Sequence, residues 1–254
     1  MRVLRRLLPN EDIIYLGDTA RVPYGTRSPE TITRFALQDA QFLLRQGVKL
    51  IVIACGTASS IAIDEVRRQS PVPVIGVVEP VAKAAVEVTR NHRVAILGTN
   101  ATIRSRAIER EVKRLDPLAQ VHGLACPLLV PLIENGYVRP EQPILRCVLQ
   151  EYMHQLIDVK IDTLILGCTH FPLVSEAIRE WLPGVCLVDS GEAVAQAVGR
   201  ELSELSLCNT FSRQGKHSYF VTDTVANFTD IAELFLGEPT GGVGEIRQIE
   251  LDLG

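Results

Sequence analysis

Two of the six cysteines stand in matching surroundings. Cys55 and Cys168 each follow an apolar segment and one small residue, and each precedes small or hydroxyl-bearing residues. A thiol at a strand end and helix start lies near the positive end of the helix dipole, which favours a thiolate. The remaining cysteines lack this setting and are predicted to be inert: Cys126, Cys147, Cys186 and Cys208. Because there is no C-x-x-C pair, we predict free thiols rather than disulfides.

Two thiols that face each other suit one task in particular. A thiolate removes a proton from a carbon while a thiol on the opposite face delivers one, and the carbon is inverted without a cofactor. The ordinary cysteine pKa of about 8.5 allows both protonation states near neutral pH. His170 lies two residues after Cys168, so acyl transfer by a Cys/His pair is an alternative. A redox pair is a third interpretation, and the wide spacing of the cysteines leaves it open.

Short apolar strands alternate with amphipathic helices along almost the whole chain. This alternation predicts an α/β fold with parallel sheets, in which ligands bind beyond the carboxyl ends of the strands. Segments 50–57 (LIVIACGT) and 163–170 (TLILGCTH) form a faint internal repeat, separated by about half of the chain. Two α/β halves that each present one cysteine at a strand end would place two thiols across a shared cleft.

Several predicted elements can be checked individually. Ser28 and Gly47 bound a predicted helix over 29–46, as an N-cap and a C-terminal glycine. A further helix is predicted to start near Ala58. The other predicted features are one uninterrupted helix over 103–114, a helix over 173–181 and a loose segment over 237–244.

Composition excludes some classes of protein. The 254 residues carry a formal net charge of −4, so there is no basic excess to bind nucleic acid or an anionic membrane. No apolar run reaches the roughly 18 residues that a membrane span needs. The first residues, MRVLRRLLPNED, lack the long apolar region of a signal peptide, so we expect a cytoplasmic protein.

Other polar residues have ordinary explanations as well as functional ones. Residues 98–102 (GTNAT) follow a predicted strand and open a helix, so they form either an anion site or simple helix caps. Residues 22–26 (VPYGT) predict a turn, and Asp18 can cap a turn or a helix. Glu134 lies in an apolar stretch before a turn, where a surface carboxylate is the simplest interpretation.

The chain resembles the cofactor-independent glutamate racemases, within the aspartate/glutamate racemase superfamily. Six segments carry this resemblance, in the family's order and with similar spacing over roughly residues 8–190. They are 13–28 (IIYLGDTARVPYGTRS), 50–60 (LIVIACGTASS), 73–80 (PVIGVVEP), 94–105 (VAILGTNATIRS), 124–136 (LACPLLVPLIENG) and 162–173 (DTLILGCTHFPL).

The resemblance implies a role for each matching residue. Cys55 and Cys168 would work on opposite faces of the α-carbon, with His170 and Glu134 as polar groups near Cys168. The positions that would bind the substrate or close over it are Asp18, Pro23, Tyr24, Gly25, Gly56, Thr57, Thr99, Thr102 and Thr169. Fixed hydrogen-bond donors are needed there, because removal of an α-proton builds carbanion charge.

The resemblance also implies an architecture and a biological role. It implies two pseudo-symmetric α/β domains, 1–78 plus 190–254 and 79–189, with the active site in the cleft between them. The substrate would be glutamate, with D-glutamate supplied for peptidoglycan synthesis and with no metal or organic cofactor. A homodimer is expected. The alternatives are racemisation of aspartate or another amino acid, and a catalytically weakened member that retains ligand binding.

The chain departs from the family pattern in two places. Gly56 stands where the family usually has Asn, so we expect Gly56→Asn to add a hydrogen bond and to improve turnover. The family's first strand and its Asp-Ser-Gly turn have no counterpart before residue 8. We therefore expect a truncated start, with a chain that is loosely folded and weakly active.

Overall fold

The computed structural model describes residues 1–236 and 246–251. Strands and helices alternate, and every pairing in the three- and four-stranded sheets is parallel, so the predicted α/β fold with parallel sheets is confirmed. The strands are β1 (Ile13–Gly17), β2 (Ile51–Ile53), β3 (Val74–Gly76), β4 (Arg93–Gly98), β5 (Gln120–Ala125), β6 (Thr163–Leu166), β7 (Cys186–Asp189), β8 (His217–Val221) and β9 (Ile246–Gln248).

The helices fill the segments between the strands. They are α1 (Arg2–Leu7), α2 (Pro29–Arg45), α3 (Gly56–Gln69), α4 (Val78–Val88), α5 (Asn100–Ser105), α6 (Ala107–Leu115), α7 (Leu129–Glu134), α8 (Pro143–Ile157), α9 (Ser175–Trp181), α10 (Ser190–Glu204) and α11 (Val225–Leu236). Short 3₁₀ helices span Thr19–Arg21, Tyr24–Thr26 and Phe171–Val174. Within the described residues, no helix combines the length and the apolar character that crossing a membrane requires.

The chain divides into two compact units. The first comprises Met1–Ile53, Ala62–Ile75 and Ala195–Gly254, and the second comprises Ala54–Ile61 and Gly76–Val194. Residues 54–61, which include Cys55, belong to the second unit. Compactness alone does not test whether each unit is a domain, so the two-domain division stays a prediction.

The first unit contains a three-stranded sheet in the order β1-β8-β9 and a two-stranded sheet of β2 and β3. Tyr219 and Val221 of β8 are buried against Phe228 of α11, with Tyr15 of β1 packed beside them. Helix α2 begins as predicted, because Ser28 Oγ accepts a hydrogen bond of 3.3 Å from the Thr31 N–H. Asp18 follows the last residue of β1 directly.

The second unit is built on a four-stranded parallel sheet in the order β5-β4-β6-β7. Strand β6 is buried at every residue and β4 at every residue after Arg93, as expected for apolar strands covered on both faces. Helices α4 and α6 pack on this sheet through Val81, Ala85, Ile108 and Val112. Because the strands are parallel, the residues that follow β4, β5 and β6 meet at one edge of the sheet.

Three predicted helices differ from the structure. The helix predicted over 103–114 is two helices, because Arg106 adopts a left-handed conformation with a φ of 53°. Helix α3 begins at Gly56 rather than near residue 58, and the segment predicted as helical over 173–181 starts with a 3₁₀ turn. The segment 237–244 lies outside the described residues.

Candidate active site

The end of β6 places Cys168 beside a histidine and a carboxylate. The N–H of Gly167 donates a hydrogen bond of 2.8 Å to the Leu97 carbonyl, which extends the sheet to the residue before the thiol. Cys168 Sγ lies 3.6 Å from His170 Nδ1, and His170 Nε2 lies 3.0 Å from Glu134 Oε1. Glu134 is the last residue of α7, so this short helix brings the carboxylate to His170.

The partners of His170 change its acidity. Burial alone would lower its pKa, but the hydrogen bonds and charges of Cys168 and Glu134 outweigh burial and raise the pKa to about 9. The imidazole therefore carries a proton at pH 7. An imidazolium next to Cys168 Sγ stabilises negative charge on that sulfur.

Cys55 precedes the first residue of α3, and its carbonyl accepts the Ser59 N–H of the first helical turn at 2.9 Å. Cys55 is an exposed residue as a whole, yet neighbouring protein atoms desolvate its thiol and raise its pKa. Hydrogen bonds from the Ala58 N–H and from Thr57 oppose this rise, while the charge of Cys168 adds to it. Desolvation prevails, so Cys55 holds its proton more strongly than an ordinary cysteine.

Cys126 is a third thiol of the same unit. It follows β5, is completely buried, and its N–H donates to the Gly98 carbonyl at 2.9 Å. Burial, with a further contribution from the charge of Cys168, raises the pKa of Cys126 to about 12. The residue therefore stays a neutral thiol near neutral pH.

Three threonine hydroxyls meet in one cluster. Thr57 Oγ1 lies 2.8 Å from Thr99 Oγ1 and 3.4 Å from Thr102 Oγ1, and the last two hydroxyls are 3.0 Å apart. Thr99 is also the N-cap of α5, since its hydroxyl accepts the Thr102 N–H at 3.2 Å. Capping and a binding role for Thr99 are therefore compatible. The cluster brings the start of α3, which carries Cys55, to the start of α5.

Gly56 lies against the backbone of the other cysteine segment. A Cβ added to Gly56 would lie 2.2 Å from the Gly167 carbonyl oxygen, and real Cβ atoms essentially never approach within 3.0 Å. The expectation that Gly56→Asn improves turnover is therefore opposed by the structure. Glycine stands here because two backbones meet, a reason that the sequence alone does not reveal.

In the first unit, Asp18 and Tyr24 belong to a polar cluster around Arg21. The Arg21 guanidinium donates to both carboxylate oxygens of Asp18 at 2.7 and 2.8 Å and to Asp39 Oδ1 at 2.7 Å. The Tyr24 hydroxyl donates to Asp18 and lies 3.1 Å from Asp39 Oδ2. Thr222 Oγ1 donates to Asp18 Oδ1 at 3.0 Å. These contacts fix the segment that contains Pro23, Tyr24 and Gly25.

The charges of this polar cluster are not balanced. Burial and the neighbouring Asp18 charge raise the pKa of Asp39 to about 7, although Arg21 opposes the rise. Burial, together with both carboxylates, also raises the pKa of Tyr24. Sequence reasoning missed Arg21, Asp39 and Thr222. Arg21 is only three positions from Asp18, but Asp39 is 15 positions from Tyr24 and Thr222 is 204 positions from Asp18, and no motif connects them.

The structure thus brings together most, but not all, of the predicted site residues. The second unit holds Cys55, Gly56, Thr57, Thr99, Thr102, Glu134, Cys168, Thr169 and His170. The first unit holds Asp18, Pro23, Tyr24 and Gly25. Thr169 Oγ1 lies 3.4 Å from His170 Nδ1, so it joins the Cys168 group. No group of three or more metal-binding side chains occurs within residues 1–236 and 246–251.

Comparisons with known proteins agree with this chemistry. The family model described as Asp/Glu/Hydantoin racemase matches residues 1–198. A relative from Geobacter metallireducens, named glutamate racemase, is 44% identical over 253 residues, which cover 99% of this chain and 92% of the relative.

Solved structures give the same result. The glutamate racemase of Francisella tularensis, crystallised in complex with D-glutamate, superposes with a TM-score of 0.91 at 37% identity, covering 99% of this chain and 92% of that one. The glutamate racemase of Thermus thermophilus, in complex with beta-chloro-D-alanine, gives a TM-score of 0.87 at 43% identity, covering 98% and 91%. With a family match over most of its length and relatives at these identities, the chain belongs to the Asp/Glu/Hydantoin racemase family.

Proposed function

We propose that this protein interconverts L- and D-glutamate without a cofactor, with Cys55 and Cys168 as its two acid–base groups. It is an amino-acid racemase by family, and a relative of 44% identity is named glutamate racemase. The observation that carries the proposal is the close contact of the two cysteine segments. Gly56, which follows Cys55, lies directly against the backbone of Gly167, which precedes Cys168, and the charge of Cys168 adds to the desolvation that raises the pKa of Cys55.

The two thiols have different surroundings. Cys168 lies beside the imidazolium of His170, which Glu134 holds, whereas desolvation raises the pKa of Cys55. In one direction, Cys168 takes the α-proton of the substrate and the C–H electron pair becomes a carbanion. Cys55 then donates its own proton to the opposite face of that carbon. The product has the inverted configuration, the thiols have exchanged protonation states, and the reverse reaction starts from that exchanged state.

The hydroxyl cluster supplies polar contacts for the substrate. Carboxylates accept hydrogen bonds, and the three hydroxyls of Thr57, Thr99 and Thr102 can turn their protons toward a bound carboxylate. Thr169, Asp18, Pro23, Tyr24 and Gly25 complete the proposed contacts with the substrate. Donors that are fixed before the reaction stabilise carbanion charge without reorganisation.

The proposed biological setting follows from the product. D-Glutamate is a building block of bacterial peptidoglycan, so we assign the enzyme to cell-wall synthesis in the cytoplasm, as a homodimer. The substrate is a small molecule. Glutamate is preferred to aspartate as the substrate because the relative and the two solved structures cited above are all glutamate racemases.

The test is racemisation by single-thiol variants. The purified protein should convert L-glutamate to D-glutamate, and the reverse, as measured by chiral chromatography. Cys55→Ser and Cys168→Ser should each lower the rate by at least about 100-fold, because a serine hydroxyl is a far weaker acid. Cys147→Ser is the matched control, since Cys147 is an exposed thiol of the same unit. Near-normal racemisation by either catalytic variant would refute the two-base mechanism.

A further inference from the structure

The segment 22–26 lies between β1 and α2 and contains three of the proposed substrate contacts. Two hydrogen bonds are local to this segment. Thr26 Oγ1 donates to the Pro23 carbonyl at 3.3 Å, and the Tyr24 carbonyl accepts the Arg27 N–H at 3.0 Å. These bonds shape the segment but do not attach it to β1 or to α2, so its position depends on other contacts.

The side chain of Tyr24 makes that attachment. Its ring is buried and lies 5.8 Å from the Phe35 ring of α2, centroid to centroid. Its hydroxyl donates to Asp18, the residue after β1, and lies 3.1 Å from Asp39 Oδ2 of α2. One hydroxyl thus reaches both elements that flank the segment. It can do so only while the two carboxylates stand side by side.

Arg21 keeps those two carboxylates together. Like charges repel strongly where they are shielded from water, and the side chains of Asp18 and Asp39 are only 8% and 23% exposed. The planar guanidinium donates to both Asp18 oxygens at 2.7 and 2.8 Å and to Asp39 Oδ1 at 2.7 Å. It is held in turn by Gln38 Oε1 at 2.5 Å and by the Phe35 ring, whose centroid lies 4.3 Å from the guanidinium carbon. Without Arg21, nothing in this cluster offsets the repulsion.

We propose that Arg21 is a positioning residue that holds the segment 22–26 in the conformation that binds glutamate. This inference rests on the proposed racemisation and deepens it. Arg21 needs no contact with the substrate, because it acts by keeping Asp18 and Asp39 in place as acceptors for Tyr24. Without this bridge the segment adopts other conformations as well. The apparent affinity for the substrate then falls in proportion to the time that the segment spends in the competent conformation.

The first test is the effect of Arg21→Met on the kinetics of glutamate racemisation. If the segment of the variant is competent about one tenth of the time, KM rises about tenfold in both directions of the reaction. The value of kcat should stay within about twofold, because bound substrate holds the segment in place. A variant that is merely unstable contains less active protein, which lowers the apparent kcat and leaves KM unchanged.

Arg21→Lys is the conservative variant. Lysine keeps the positive charge, but its ammonium group is a point donor that lacks the planar fork of arginine. It therefore cannot reproduce all the contacts with both carboxylates. We expect a KM between those of the unsubstituted protein and Arg21→Met, again with little change in kcat.

A double-mutant cycle tests whether Arg21 acts through Tyr24. Tyr24→Phe removes only the hydroxyl that reaches Asp18 and Asp39, and should raise KM several-fold. Residues that act through one contact have non-additive effects. The double variant Arg21→Met, Tyr24→Phe should therefore have the KM of Arg21→Met alone, within about twofold, rather than the product of the two increases.

Arg27→Met is the matched control. Arg27 is an exposed arginine that directly follows the segment, so its replacement removes the same charge from the same part of the chain. Its KM should equal that of the unsubstituted protein. Circular dichroism and thermal unfolding verify that each variant is folded at the assay temperature. If Arg21→Met does not fold, the cycle is carried out with Arg21→Lys.

The outcomes separate the two proposals. If the unsubstituted protein does not racemise glutamate, the proposed function is wrong and the positioning role falls with it. If it racemises glutamate and the folded Arg21 variants keep its KM, the positioning role alone is wrong. The same holds if Arg27→Met raises KM as much as Arg21→Met, or if the effects of Arg21→Met and Tyr24→Phe on KM multiply independently.

Discussion

At the scale of single residues, three cysteines of the second unit differ only in their surroundings. Cys126 is buried and stays neutral, Cys55 is desolvated but receives hydrogen bonds from the start of α3, and Cys168 lies beside the imidazolium of His170. The same side chain thus stands in three different electrostatic environments. The sequence distinguishes Cys55 and Cys168 from Cys126 through their neighbouring residues. Its residue pattern alone left Glu134 as a surface carboxylate, and only the family resemblance placed it near Cys168, because its contact with His170 spans 36 positions.

Glu134 should tune the rate through His170. Glu134→Gln removes the charge and the strong hydrogen-bond acceptor that raise the pKa of His170, so that pKa should fall from about 9. Less imidazolium would then remain at pH 8 beside the sulfur that exchanges the α-proton with the substrate. We expect kcat at pH 8 to fall about tenfold with little change in KM, and the basic limb of the pH–rate profile to move to lower pH.

The control for this substitution is Glu141→Gln. Glu141 is exposed and pairs with Arg139 at 3.4 Å, away from His170, so its replacement should leave the profile unchanged. The pH–rate profiles are recorded in both directions of racemisation. Profiles of Glu134→Gln and the unsubstituted protein that superimpose would show that Glu134 does not act through His170.

At the scale of elements, the sequence predicts most strands and helices because their apolar periodicity is local. The cap at Ser28 is found as expected, and the apolar segment before Cys168 is a strand, β6. The break at Arg106 was not predicted, because a left-handed arginine has no sequence signature of the kind that glycine provides. The role of Gly56 was misjudged for a related reason. Its constraint comes from Gly167, a backbone more than a hundred positions away.

The segment after β1 should respond to pH through Asp39 of α2. The folded-state pKa of Asp39, about 7, exceeds its ordinary value of 3.8, so the folded protein binds this proton more tightly than the unfolded chain. The resulting stability is fully present below about pH 4 and is lost as pH rises through about 7. We expect the ionisation of Asp39 to lower the free energy of unfolding by on the order of 3 kcal/mol as the pH rises from 4 to 8.

Asp39→Asn tests this cost, because the amide does not titrate. Its stability relative to the unsubstituted protein should increase from pH 4.5 to pH 7.5, as measured by urea unfolding at several pH values. Asp64→Asn is the control, since Asp64 is an exposed carboxylate of the same unit. Parallel pH–stability curves for Asp39→Asn and the unsubstituted protein would show that the carboxyl ionises as freely in the folded state as in the unfolded one.

At the scale of the whole molecule, the α/β class is predictable because it depends only on alternation. The strand order is not, because it is set by packing between distant segments. Strand β8 pairs with β1 across about 200 positions, and β6 lies beside β4 rather than β5. The same long-range packing brings Thr57 to Thr99 and Glu134 to His170. Each predicted site residue could be identified from the sequence, but its hydrogen-bond partners could not.

Ligand binding should stabilise the folded protein as a whole and should reveal the preferred substrate. Cys168→Ser should slow racemisation by at least about 100-fold, so in a short measurement each glutamate enantiomer largely keeps its configuration. At a concentration of 100 times Kd, a ligand that binds only the folded state adds about 2.7 kcal/mol to the free energy of unfolding. That gain should raise Tm by several degrees.

Aspartate is one methylene shorter and cannot place both of its carboxylates on the same donors, which costs about 1–3 kcal/mol of affinity. We therefore expect glutamate to raise Tm at concentrations at least about tenfold lower than aspartate requires. Thr99→Ala, which removes one hydroxyl of the cluster, should weaken the effect of glutamate. Stronger protection by aspartate than by glutamate would reassign the substrate to aspartate.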